Sequence, residues 1–146
     1  MFETVSPFNW IASASGILDS ATLTAGFQFT EIPTGSYYLG FYHRNSIETW
    51  SSAPVSFVSG GISNYDFTTS SLKAYGSNMK QVDNSPLRFA LYSGDVNQDA
   101  TTDASDLSDV DNDAYFSLSG YVNTDVTGDN FVDAQDLSIV DNNALN

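Results

Sequence analysis

Two stretches of the chain carry oxygen-bearing side chains at a spacing suited to a metal ion. The first runs Asp95-Val96-Asn97-Gln98-Asp99-Ala100-Thr101-Thr102-Asp103-Ala104-Ser105-Asp106. The second runs Asp125-Val126-Thr127-Gly128-Asp129-Asn130-Phe131-Val132-Asp133-Ala134-Gln135-Asp136, in register thirty residues on. Positions 1, 3, 5, 9 and 12 are Asp95, Asn97, Asp99, Asp103 and Asp106 in one copy, and Asp125, Thr127, Asp129, Asp133 and Asp136 in the other. Position 7, Thr101 or Phe131, adds a backbone carbonyl. Calcium is a hard cation that takes roughly six to eight oxygens, and a tightly wound loop turns alternate side chains inward around it. These residues therefore predict two calcium sites.

Each copy continues as Asp-Ala-x-Asp-Leu-Ser-x-Val-Asp-Asn-x-Ala, at 103–114 and again at 133–144. Asp103 and Asp133 are good N-caps, and Asp106 and Asp136 stand three residues on, much like a capping box. Leu107, Val110 and Ala114 follow at helical spacing, as do Leu137, Val140 and Ala144. Each loop is thus expected to open a short helix. No helix precedes the first loop; 87–92 alternates apolar and polar and reads as a strand running into it. The ligand spacing is that of an EF-hand loop. A calcium loop with only its second helix, duplicated, makes residues 95–146 resemble a dockerin domain.

The block from about Gly35 onward resembles a module that closes many secreted bacterial surface proteins. The carrying residues are Tyr37-Tyr38-Leu39, His43-Arg44-Asn45-Ser46-Ile47-Glu48-Thr49-Trp50, Asn64-Tyr65-Asp66-Phe67 and Gln81-Val82-Asp83-Asn84-Ser85-Pro86-Leu87-Arg88-Phe89. The resemblance implies a β-sandwich, a secreted or cell-surface location, and for the dockerin part a cohesin-like partner met at the helix starts, Ala104-Ser105 and Ala134-Gln135. Two features depart from the loop pattern. Position 6, normally Gly at positive φ, is Ala100 and Asn130, and Ala there loses roughly 1–2 kcal/mol. Position 12 is Asp rather than Glu. The first site is therefore expected to be the weaker.

The charge distribution agrees with a cation-dependent tail. All four basic residues precede Asp95, and twelve of the eighteen acids lie at or after it. The net charge of −14 thus divides into −2 and −12, which excludes nucleic acid as a partner. The absence of cysteine excludes disulfides and thiolate metal sites. No apolar run is long enough to cross a bilayer. Residues 1–5 lack the basic start and apolar core of a secretion signal, so a signal is expected to have been removed or the chain to be a piece of a longer one.

The first ninety or so residues read as all-β. Short β-rich runs at 22–24, 27–32, 37–43, 55–58 and 65–67 are separated by Gly, Ser, Asn and Pro. Their spacing predicts an immunoglobulin- or transthyretin-like β-sandwich over 1–92, followed by the small α-helical calcium domain over 93–146. Sandwiches of the resembled kind carry a further strand before Ser6-Pro7-Phe8, so this one is expected to be a strand short.

Other candidates are weaker. His43, the only histidine, is expected to be a structural hydrogen-bonder at a strand end. Glu48 and Asp66 as a glycosidase pair have nothing to fix their separation. Trp10, Trp50 and the tyrosines are expected to pack rather than form a sugar platform. Asp19-Ser20-Ala21 matches a short bacterial O-glycosylation signal. The functional expectation is a non-enzymatic extracellular structural module, stabilised by calcium, that joins copies of itself into a filament or surface layer by strand pairing. The strand donor is expected at 1–8 or in the tail after Asp141. The alternatives are a docking tail for a cohesin-like or other surface scaffold protein, and a carbohydrate-binding module for glycans.

Overall fold

The computed structural model describes residues 1–19 and 21–144. Six strands form in the order β1 (Gly35–Tyr37), β2 (Gly40–His43), β3 (Ser46–Trp50), β4 (Val55–Phe57), β5 (Lys80–Asn84) and β6 (Leu87–Ala90). Two helices follow, α1 (Ala104–Tyr115) and α2 (Ala134–Asn143). Among the described residues the strands pair only as three antiparallel ribbons: β1 with β4, β2 with β3 and β5 with β6.

This corrects the expected sandwich: the fold is mixed, with no pair of facing sheets among the described residues. The physical reason is local. Leu23 and Glu31 adopt left-handed backbone, with φ of 56° and 62°, and so break the runs at 22–24 and 27–32. The Asp19 carboxylate accepts from the N–H groups of Ala21 and Thr22 and fixes a turn where a strand was expected. Asp66 does the same by accepting from the Thr68 N–H and hydroxyl, which ends 65–67. Strands of three to five residues bury little, and Ile17, Leu18, Leu23, Val58 and Ile62 stay exposed. Conversely, β3 and β5 lie in stretches that composition alone did not mark as strands.

The predicted helices form where their caps stand. Asp103 accepts from the Ser105 N–H and Asp133 from the Gln135 N–H, and both capping boxes close through Asp106 and Asp136. The largest apolar cluster lies here, while Met1, Ile47, Ala74 and Met79 are buried separately in the N-terminal part. It consists of buried Val96, Val110, Val132 and Val140, flanked by Leu107, Ala114, Val122, Val126 and Leu137. The valines come from both copies, so the repeat buries one shared core between α1 and α2.

Aromatic side chains hold the other end. Trp50 stacks on Phe2 with ring centroids 4.1 Å apart, and Phe8 and Tyr38 close around it. Phe2 pairs with Tyr38 through two backbone hydrogen bonds of 3.0 Å. The expected strand donor at 1–8 is therefore engaged within its own chain. Of the other proposed features, Ser20 and the tail residues 145 and 146 lie outside the described residues.

Gly94 joins the two parts. Its N–H donates to the Asn45 carbonyl at 2.7 Å, and its φ is +115°. A Cβ at this position meets Thr102 Cγ2 at 2.9 Å and Val140 Cα at 3.2 Å. Gly94→Ala therefore combines backbone strain with overlap in the core, and is expected to lower the unfolding free energy by about 2–3 kcal/mol. Denaturant unfolding checks this; an unchanged midpoint contradicts it.

Candidate metal centre

The two loops fold alike, with matching bonds at their last aspartates. The buried Asp106 carboxylate accepts from the N–H groups of Val96 (2.8 Å), Asn97 (3.2 Å) and Asp103 (2.9 Å). Its counterpart Asp136, also buried, accepts from Val126 (2.8 Å), Thr127 (2.8 Å) and Asp133 (2.9 Å). Asp95 at position 1 accepts from the N–H groups of Asp99 and Ala100. Asp125 accepts from Gly128, Asp129 and Asn130. Thus the first and last aspartates of each loop pin its ends to its middle.

Position 6 takes the left-handed backbone that the pattern requires: φ is 72° at both Ala100 and Asn130. Asn tolerates this and Ala does not. Ala100→Gly is expected to stabilise the chain by about 1 kcal/mol, the relief of strain exceeding the extra freedom of the unfolded glycine chain. Asn130→Gly is expected to change much less. Paired thermal melts check both; equal shifts contradict the strain argument.

The remaining predicted ligands are placed differently. Asn97 Oδ1 accepts from the Asp99 N–H at 2.9 Å, and its amide donates to Asp99 Oδ2 and Ser105 Oγ. Asp99 accepts from the Thr101 N–H and hydroxyl, and these bonds hold its carboxyl below the usual range. Asp129 accepts from the Phe131 N–H, and the Thr127 hydroxyl donates to Asp125. Asp103 and Asp133 face their helix starts as caps. Among the described residues no three His, Cys, Asp or Glu side chains converge on a point fit for a metal. The end carboxylates, Asn97 and the aspartates at positions 5 and 9 all accept from nearby N–H groups, while the Thr127 hydroxyl donates to Asp125.

Burial and charge nevertheless suit a hard dication. Asp95, Asp106 and Asp136 are 0–2% exposed, and no described cationic side chain pairs with them. Burial raises the Asp95 carboxyl above its usual pKa against the pull of its N–H donors, and the neighbouring charges of Asp106 and Asp99 raise it further. A buried carboxylate without a counter-charge is costly. The position 7 carbonyls of Thr101 and Phe131 accept no hydrogen bond from the described residues. The donors are all oxygens, the class that calcium takes.

Arg44 and Asn45 were not among the predicted site residues, yet they grip the second loop from the turn between β2 and β3. Arg44 Nη2 donates to the Asp125 carbonyl at 2.7 Å and lies 3.5 Å from Asp125 Oδ2; Nε donates to the Val122 carbonyl at 2.9 Å. Its guanidinium lies over the Tyr121 ring, 4.0 Å from the centroid. Asn45 Nδ2 donates to the same Asp125 carbonyl at 3.0 Å. The only available signal was Arg44 itself, one of four basic residues in a chain of net charge −14. Elsewhere Lys80 donates to the Asn142 carbonyl and to Asn143 Oδ1, binding the end of α2 to β5.

The other candidates sit in local roles. His43 ends β2; burial and then the Arg44 charge hold its pKa below the usual value, opposed by a hydrogen bond with Asn45. Glu48 accepts from the Trp50 indole N–H. Burial first, and then Glu48, push the Tyr42 hydroxyl above its usual range. Trp10 is exposed, while Trp50 is packed against Phe2. No described helix is long and apolar enough to cross a membrane. No protein family, curated protein or solved structure matches this chain.

Proposed function

We propose that this chain is a non-enzymatic, extracellular structural module whose two loops at 95–106 and 125–136 bind calcium. The observation that carries the reading is the shared bonding of the loops, which buries two aspartates in each beneath one valine core. Calcium supplies positive charge to that arrangement. In the first loop Asp95, Asn97, Asp99, Asp103 and Asp106 hold it with the Thr101 carbonyl. In the second, Asp125, Thr127, Asp129, Asp133 and Asp136 hold it with the Phe131 carbonyl. Asn97, Asp99, Asp103, Asp129 and Asp133 exchange local N–H partners for the ion. Because Arg44, Asn45 and Gly94 tie the loops to the β2–β3 turn, stiffening the loops stiffens the chain.

The module joins copies of itself. Every strand lies in a two-stranded ribbon, so unpaired backbone edges remain to accept a neighbour's strand, and many apolar side chains stay exposed. Electron microscopy and light scattering at high protein concentration in calcium test this. Polymers are expected; a monodisperse monomer overturns it. The docking-tail reading keeps one specific support, since Ala104, Ser105, Ala134 and Gln135 at the helix starts are all exposed. A calcium-replete monomer that binds an immobilised cohesin domain would favour that reading.

A further inference from the structure

We infer that Arg44 is the built-in counter-ion of the second loop, and that it makes this loop the lower-affinity calcium site. The inference rests on the calcium reading above and reverses the order expected from position 6. The two loops match in the bonds of their last aspartates, Asp106 and Asp136, but differ in what faces position 1. Asp125 has the Arg44 guanidinium 3.5 Å from Oδ2 and on its carbonyl. The Asp95 carbonyl instead accepts from the neutral amide of Gln98 at 2.7 Å, and no described cation reaches the Asp95 carboxylate.

Arg44 is fixed in place. Its side chain is 16% exposed, it donates to two carbonyls, and Tyr121 lies against its face. It is therefore a standing charge that a second cation at Asp125 must approach in a partly buried setting, where repulsion is screened less than in water. The first loop presents its carboxylates to calcium with no such competitor. Strain at Ala100 does not offset this. Position 6 has the same φ of 72° in both loops, at Ala100 and at Asn130, so its backbone geometry does not separate them. Filling thus proceeds from the first loop to the second. Because Arg44 and Asn45 hold the second loop to the β2–β3 turn, the later, weaker event is also felt by the rest of the chain.

The test is calorimetric titration of the chelator-treated full chain with calcium chloride. Asp99→Ala and Asp129→Ala, both at exposed positions, assign the two affinities to the two loops. The wild type is expected to show two affinities, the weaker lost with Asp129→Ala and the tighter with Asp99→Ala. Arg44→Gln is expected to tighten the weaker site about tenfold and leave the other unchanged, whereas Arg44→Lys, which keeps the charge, is expected to leave it weak. If Arg44→Gln does not fold, the loop assignment in the wild-type background still decides. A weaker site that vanishes with Asp99→Ala overturns the inference, as does Arg44→Gln leaving the weak site unchanged or weaker. No calcium binding in any variant overturns instead the reading of the loops as calcium sites, and this inference with it.

Discussion

Calcium at about a hundredfold over its dissociation constant is expected to raise the unfolding free energy by roughly 2.7 kcal/mol for each filled loop. Two filled loops together approach roughly 5 kcal/mol, a large share of what a domain of this size ordinarily possesses. The expectation follows from charge. Twelve of the chain's acids lie at or after Asp95, and among them Asp95, Asp106 and Asp136 are buried with no cationic partner among the described residues. Chelation leaves those charges to repel one another around a small valine core. Urea unfolding with and without calcium measures the difference. A midpoint insensitive to calcium means that the loops do not depend on the ion.

Asp136→Ala is expected to be the most damaging single substitution. It removes the acceptor shared by the Val126, Thr127 and Asp133 N–H groups and opens the capping box of α2. Each N–H left without a partner in a part-buried setting costs about 1–3 kcal/mol, so the total is expected to reach roughly 4–6 kcal/mol. Asp106→Ala is expected to act alike through Val96, Asn97 and Asp103. Asp129→Ala is the control: Asp129 is exposed and accepts only from the Phe131 N–H, so its loss is expected to cost under about 1 kcal/mol without calcium. Where folding survives in calcium, Asp136→Ala empties the second loop and spares the first. Circular dichroism of the metal-free variants separates the cases. Equal melting of Asp136→Ala and Asp129→Ala contradicts the assigned bonds.

The parts legible in the sequence are those whose causes are local. Asp103 and Asp133 announce the helices because a cap acts within three residues, and Val110 and Val140 fall on the core because helical spacing puts them there. The left-handed position 6 was legible for the same reason. The sandwich was not. Short β-rich runs bounded by Gly and Pro look the same whether they join into sheets or stop as ribbons. The left-handed turns at Leu23 and Glu31, at residues that seldom adopt them, decide the matter. The grip of Arg44 and Asn45 on Asp125 was also hidden, because it spans some eighty positions of sequence. Side-chain direction within the loops was hidden too: spacing places Asn97, Asp99 and Asp103 around a common centre, while nearby N–H groups draw them to local bonds.

The central claim is that the paired loops are calcium sites, and counting ions tests it most directly. Native mass spectrometry of the chelator-treated chain, re-equilibrated with calcium and separately with magnesium, reads the ions retained per molecule. The account predicts two calcium ions, one lost in Asp99→Ala and one in Asp129→Ala, with magnesium not held comparably. A chain that retains no calcium, or retains magnesium equally well, contradicts it.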